Sequence, residues 1–191
     1  MGFPGTITMA QQTLSVLVEN SPGVLARVAS LFSRRGYNID SLAVGPTEDP
    51  EVSRMTIVLN LEGHALDQVS AQLFKLVNVI GIQEMTENSA HQRELLLIKV
   101  AAKSSEIKPV IEGMVAEIVD EREGVCIIQA VASAKDLAEM VKRLNKFGIK
   151  ELVQSGSIAL ELGKKTLAEQ TAIETGLSTS ESHQQTEDYQ N

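Results

Sequence analysis

Between residues 13 and 36 the apolar period changes from two to about 3.6 across a single short turn. Leu14, Val16 and Val18 alternate with Thr13, Ser15 and Leu17, the pattern of a strand. Asn20-Ser21-Pro22-Gly23 follows, and Val24, Leu25, Val28, Leu31 and Phe32 then form one face of a helix. Ser21 suits the N-cap, Pro22 the first helical position and Gly36 the C′ position. A strand end that runs straight into a helix start is the opening of a β-α-β connection, and the rest of the chain has to be consistent with it.

The pattern continues as strand, strand, helix, strand. Residues 37–44 read as a second strand, and Gly45, Pro46 and Pro50 break it. Residues 52–61 form a third strand, residues 65–76 a second helix and residues 79–85 a fourth strand. The order βαββαβ is that of a ferredoxin-like unit, one antiparallel sheet with two helices on one face. The other face needs a polar surface or a partner. Residues 91–163 repeat the order with different residues: a strand over 94–101, a helix from about Ser104, a hairpin around Glu121-Arg122-Glu123-Gly124, a helix capped by Ser133, and a closing strand over 150–160. The expected fold class is therefore α+β, two ferredoxin-like units over 13–87 and 91–163. Residues 164–191 are rich in Ser, Thr, Gln and Asn, and read as a disordered tail with room for a short helix over 167–173.

Composition excludes several classes of function. With 17 basic and 25 acidic residues, the net charge of −8 opposes a phosphate-backbone partner. Only six aromatics are present, and Phe3 and Tyr189 lie near the ends, which leaves no platform for stacking bases; no nucleic-acid partner is expected. His64, His91 and His183 are too scattered for a metal site. Cys126 sits within an apolar strand and reads as a core residue rather than a nucleophile. Glu48, Asp49 and Glu51 read as a solvated turn, with a divalent-ion contact as the alternative. No catalytic constellation is visible. A single cysteine suits a reducing compartment, no apolar run approaches the roughly 20 residues of a membrane span, and the start lacks a secretory pattern. A cytoplasmic protein without membrane contact is expected, with Met9 as an alternative start.

The strand–turn–helix junction is the most informative stretch. The first N–H groups of a helix lack intrahelical acceptors and carry the positive end of its dipole, so they can hold a carboxylate. Gly23 leaves the approach open, Asn20 adds an amide, and Asn38 at the start of the second strand adds another. With apolar neighbours, such a place suits an amino acid with an aliphatic side chain. The same residues also read as an ordinary capped helix start.

The words of this region carry a resemblance. Strand–Asn-Ser-Pro-Gly-Val-Leu–helix is typical of ACT domains, and RRGYNIDSL with GPTEDPEVSRMTI is more specific. Together with HQRELLLIKV and LVQSGSIAL, they resemble the small regulatory subunits of acetolactate synthase (acetohydroxyacid synthase) over about residues 13–163. The resemblance implies a chain with no activity and no cofactor of its own. It implies a large catalytic subunit as partner, which uses thiamine diphosphate, FAD and magnesium, and which this chain activates and makes sensitive to a branched-chain amino acid, usually valine. It implies a homodimer with the effector at its interface. Asn20, Gly23 and Asn38 would contact that effector, and Val24, Leu25 and Ile39 would line its place. An ACT regulator of a different amino-acid biosynthetic enzyme is the alternative.

Overall fold

The computed structural model describes residues 9–62, 65–86 and 88–175. The first half runs β1 (Met9–Glu19), α1 (Val24–Arg34), β2 (Ile39–Pro46), β3 (Val52–Glu62), α2 (Ala65–Leu73) and β4 (Val79–Met85). Its strands form an antiparallel sheet in the order β2-β3-β1-β4. Leu14, Val16 and Val18 of β1 join Met55, Ile57 and Leu59 of β3 under Val24, Val28, Leu31 and Phe32 of α1 and Val69 and Leu73 of α2, and all are buried. α1 ends as its sequence predicts. Gly36 takes φ +70°, its N–H donates to Ser33 O, and the Tyr37 N–H donates to Phe32 O, so the last carbonyls are satisfied.

The second half runs β5 (Ala90–Val100), α3 (Ser104–Ile111), β6 (Ala116–Arg122), β7 (Val125–Ala132), α4 (Ala134–Leu144), a 3-10 turn (Asn145–Phe147), β8 (Ile149–Gln154), β9 (Ile158–Glu161) and α5 (Leu167–Thr175). β6, β7, β5 and β8 lie side by side in that order, with α3 and α4 over Leu96, Ile98, Val100, Cys126 and Ile128. The β6–β7 hairpin turns on Glu123 (φ 52°) and Gly124 (φ 76°), and two adjacent positive φ angles are what a tight two-residue hairpin requires. Ser133 caps α4 by accepting from the Asp136 N–H at 3.2 Å. Two ferredoxin-like βαββαβ units are thus present.

Two expectations are corrected. The closing strand over 150–160 is two strands, β8 and β9, because residues 155–157 leave one sheet for the other half. Gly156 lies directly against the Leu42–Ala43 backbone, where any β-carbon would collide, and the Ser157 N–H donates to Ser41 Oγ at 2.9 Å. The short helix allowed for at 167–173 is present as α5, and what is corrected is the boundary of the tail, because α5 packs on β4: Leu167 is buried, and Thr171 fills the space a β-carbon on Gly81 would take. Residues 1–8, residues 176–191, the boundary at residue 87, His64 and His183 lie outside the described residues. Finally, the second face of the first sheet has its partner within the chain. Register places Thr13, Ser15 and Leu17 beside Val58, Thr56 and Arg54, and beside Met85, Gln83 and Gly81. β9 pairs with the first residues of β5 as a two-stranded ribbon over this face. Ala90 and Ala159 meet Met85 there, and Thr13 donates to Gln92 Oε1 at 3.3 Å. Ser15 and Thr13, polar in the strand pattern, are buried for this reason.

Candidate functional site

At the end of β1 the chain makes a tight turn. Gly23 has φ 85° and ψ −7°, and the Val24 N–H faces Ser21 O at 3.5 Å. With Pro22 before it, this is the type II pattern, in which the third residue must be left-handed. The N-cap is consequently Gly23 rather than Ser21, and Pro22 stays outside the helix. Gly23 carries no side-chain cap, so among the described residues the backbone N–H groups of Gly23, Leu25 and Ala26 have no acceptor. They open to the surface, and among the described residues nothing lies within 4 Å of the place a β-carbon on Gly23 would take.

Asn20 stands beside this turn. Its backbone N–H donates to Glu51 O at 2.7 Å and its side-chain Nδ2 to Pro50 O at 2.9 Å. A carbonyl must be met by the NH2 group, so Asn20 Oδ1 is left as a free acceptor. Behind the turn lies a brace that sequence reasoning missed. Asn78 accepts from the Glu19 N–H at 2.9 Å through its backbone, donates to Glu19 Oε2 and accepts from Arg27 Nη1. It sits in the loop before β4, and no local signal ties it to the turn.

The other expected residues divide. Val24 is 3% exposed and belongs to the core, whereas Leu25 is 43% exposed beside the open N–H groups. Asn38 and Ile39 do not lie near the turn within one chain. Ile39 pairs with Leu59 and Glu19 with Val52, seven positions apart along β3, or roughly 23 Å at ~3.3 Å per residue. Ile39 packs on the far end of the same core, and Asn38 is exposed with its Nδ2 donating to Asp40 Oδ1 at 2.6 Å. The loop holding Glu48, Asp49 and Glu51 is closed on itself, with the Glu51 N–H on Asp49 Oδ1 and the Asp49 N–H on Thr47 Oγ1. Among the described residues no three His, Cys, Asp or Glu side chains converge as a metal site. Burial pushes the Cys126 thiol above its ordinary pKa, the opposite of what a nucleophile needs.

Residues 14–81 match the AHAS small subunit-like ACT domain, and residues 93–163 match the small subunit of acetolactate synthase. The acetolactate synthase small subunit of Mycolicibacterium smegmatis is 47% identical over 156 residues, 80% of this chain and 92% of that protein. This chain belongs to the acetolactate synthase small-subunit family. A probable small subunit from Archaeoglobus fulgidus is 44% identical over 158 residues, 81% of this chain and 99% of that protein. The crystal structure of the Thermotoga maritima acetolactate synthase small subunit superposes with a TM-score of 0.76 at 29% identity, covering 82% of this chain and all of that one. Family membership supports a regulatory role and a partnership with a large subunit.

Proposed function

We propose that this chain is a non-catalytic regulatory subunit that activates the catalytic subunit of acetolactate synthase and makes it sensitive to a branched-chain amino acid, valine first among them. The observation that carries the reading is the uncapped start of α1. Its open N–H groups suit an α-carboxylate, Asn20 Oδ1 suits the ammonium group, and the exposed side chain of Leu25 suits an aliphatic body. Thiamine diphosphate, FAD and magnesium belong, in this reading, to the catalytic subunit.

The separation of Asn38 from Gly23 favours a site shared between two copies. Among the described residues β2 is an edge strand that pairs with β3 alone. Two copies joined antiparallel at β2 bring the Asn38 end of one strand beside the Pro46 end of the other. That second end is the Asn20 and Gly23 end of the partner's sheet, since Pro46 pairs with Ser53 and Val18 does too. Such pairing also removes an open sheet edge. Effector binding then stabilises one arrangement of the dimer, and a coupling of about 1–3 kcal/mol suffices for inhibition.

The deciding experiment assays the cognate catalytic subunit with and without this chain across valine, leucine and isoleucine. Activation that one of these amino acids reverses is expected. No change on adding the chain removes the reading, and reversal only by an unrelated amino acid, or regulation of a different enzyme, moves it to the alternative ACT regulator.

A further inference from the structure

The ribbon of β5 and β9 covers the back of the first sheet incompletely. Where β9 diverges from β2 it leaves a groove of about 320 Å³, walled by Ala43, Gly45 and Thr56 on one side and by Ile158 and Leu160 on the other. Its lining is mostly apolar, and Ile158 and Leu160 are 63% and 61% exposed. Arg54, Arg93 and His91 also face it.

The charges are what identify the occupant. Arg54 is half-buried and donates to Ser15 Oγ at 3.2 Å, and half-buried Arg93 donates to its neighbour's carbonyl, Gln92 O, at 2.7 Å. Neither meets a carboxylate among the described residues, although the chain carries 25 acidic side chains. Guanidinium groups partly withdrawn from water are ordinarily paired. Among the described residues the groove therefore presents two cations without a carboxylate partner and an apolar wall beside a strand, β9, that pairs with β5 alone. An extended segment fits such a place by alternating apolar and acidic side chains along an open edge. We infer that this groove docks an acidic, extended segment of the catalytic subunit, an inference that rests on the regulatory reading above. Both halves of the chain build it, and β2 runs from the Asn38 end to the groove at Val44 and Pro46. One strand thus touches both the effector place and the docking place.

The test uses the full-length chain with its cognate catalytic subunit. Leu160→Asp and Arg93→Glu should each raise the concentration for half-maximal activation at least about tenfold, the loss expected of a central contact. Val119→Asp, exposed on the edge strand β6 of the second sheet, should behave as wild type. The isolated Leu160→Asp variant should keep wild-type sedimentation and amino-acid binding. A photo-crosslinking residue placed at position 160 should capture the catalytic subunit. Wild-type activation by both groove variants overturns the inference. So does capture of the same chain or of a second copy, or loss of activation accompanied by altered sedimentation. If the wild-type chain itself fails to activate, the regulatory reading fails instead.

Discussion

Gly23 carries two demands that are separable by mutation. Its φ of 85° is required by the turn, and its missing side chain keeps the α1 N–H groups open. Gly23→Asp places a carboxylate over those groups, so effector inhibition should vanish. It also forces a β-carbon into left-handed geometry, at about 1–2 kcal/mol, which a favourable carboxylate near the helix start offsets by only about 0.3–1 kcal/mol. Asn38→Ala is the cleaner probe, since Asn38 is exposed and, among the described residues, its side chain bonds Asp40 alone. It should leave the melting temperature unchanged and weaken inhibition by roughly 10- to 150-fold, the equivalent of a lost hydrogen bond to a charged group. Inhibition titrations at saturating small subunit, alongside melting curves, check both; unchanged inhibition in both variants would place the effector elsewhere. Cys126 gives a third measurement. Its folded pKa lies above the ordinary thiol value because of burial, so the unfolded chain ionises first as pH rises and the thiolate form favours unfolding above about pH 9. Thiol reagents should therefore label Cys126 no faster than the chain unfolds, and rapid labelling of the native protein would contradict its placement in the core.

Among the elements, α5 makes the sharpest prediction. Leu167 is 4% exposed and Thr171 occupies the space over Gly81. Burying a leucine contributes about 1.5–3 kcal/mol, and each kcal/mol moves the melting point of a chain this size by about 2–4 °C. Removing residues 165–191 should lower the melting temperature by several degrees, whereas removing only 176–191 tests the remainder separately. Gly81→Ala should reproduce part of the loss, since its β-carbon would displace Thr171. Equal melting temperatures for the 165–191 deletion and the full chain would detach α5 from the fold. Local signals explain which elements were legible beforehand. The strand–helix alternation, Gly36, the hairpin at Glu123-Gly124 and the Ser133 cap are each written within a few neighbouring residues. The N-cap at Gly23 was misread because Ser-Pro-Gly serves both a cap and a type II turn. A short helix at α5 is legible locally, but its docking is not, because Gly81 lies 90 positions from Thr171 and a glycine leaves no apolar pattern. The brace at Asn78 was invisible for the same reason of distance.

On the scale of the molecule, the two halves are not beads on a string. Leu17, Val58 and Met85, each at most 4% exposed, lie on the face of the first sheet that turns away from α1 and α2. That face is covered largely by the second half and α5, through Ala90, Ala159, Gln92 and Thr171. A fragment ending at residue 86 keeps the turn, Asn20 and Asn38, and so keeps every group proposed to touch the effector. It also uncovers three large apolar side chains and the buried hydroxyls of Thr13 and Ser15, and an exposed apolar face of this kind favours association. The fragment should therefore melt well below the full chain, bind an apolar dye and sediment as species larger than a dimer, even where it retains amino-acid affinity. Replacing Leu17 and Val58 by threonine within the fragment should reduce the aggregation, because the face would then meet water with polar groups. The same two substitutions in the full chain should destabilise it, because there the face meets Ala90 and Ala159. Sedimentation and melting of the four proteins separate the cases. A fragment that is as stable and as soluble as the full chain would mean that the second half merely lies on the sheet, and the path from effector turn through β2 to the groove would then have no rigid backing.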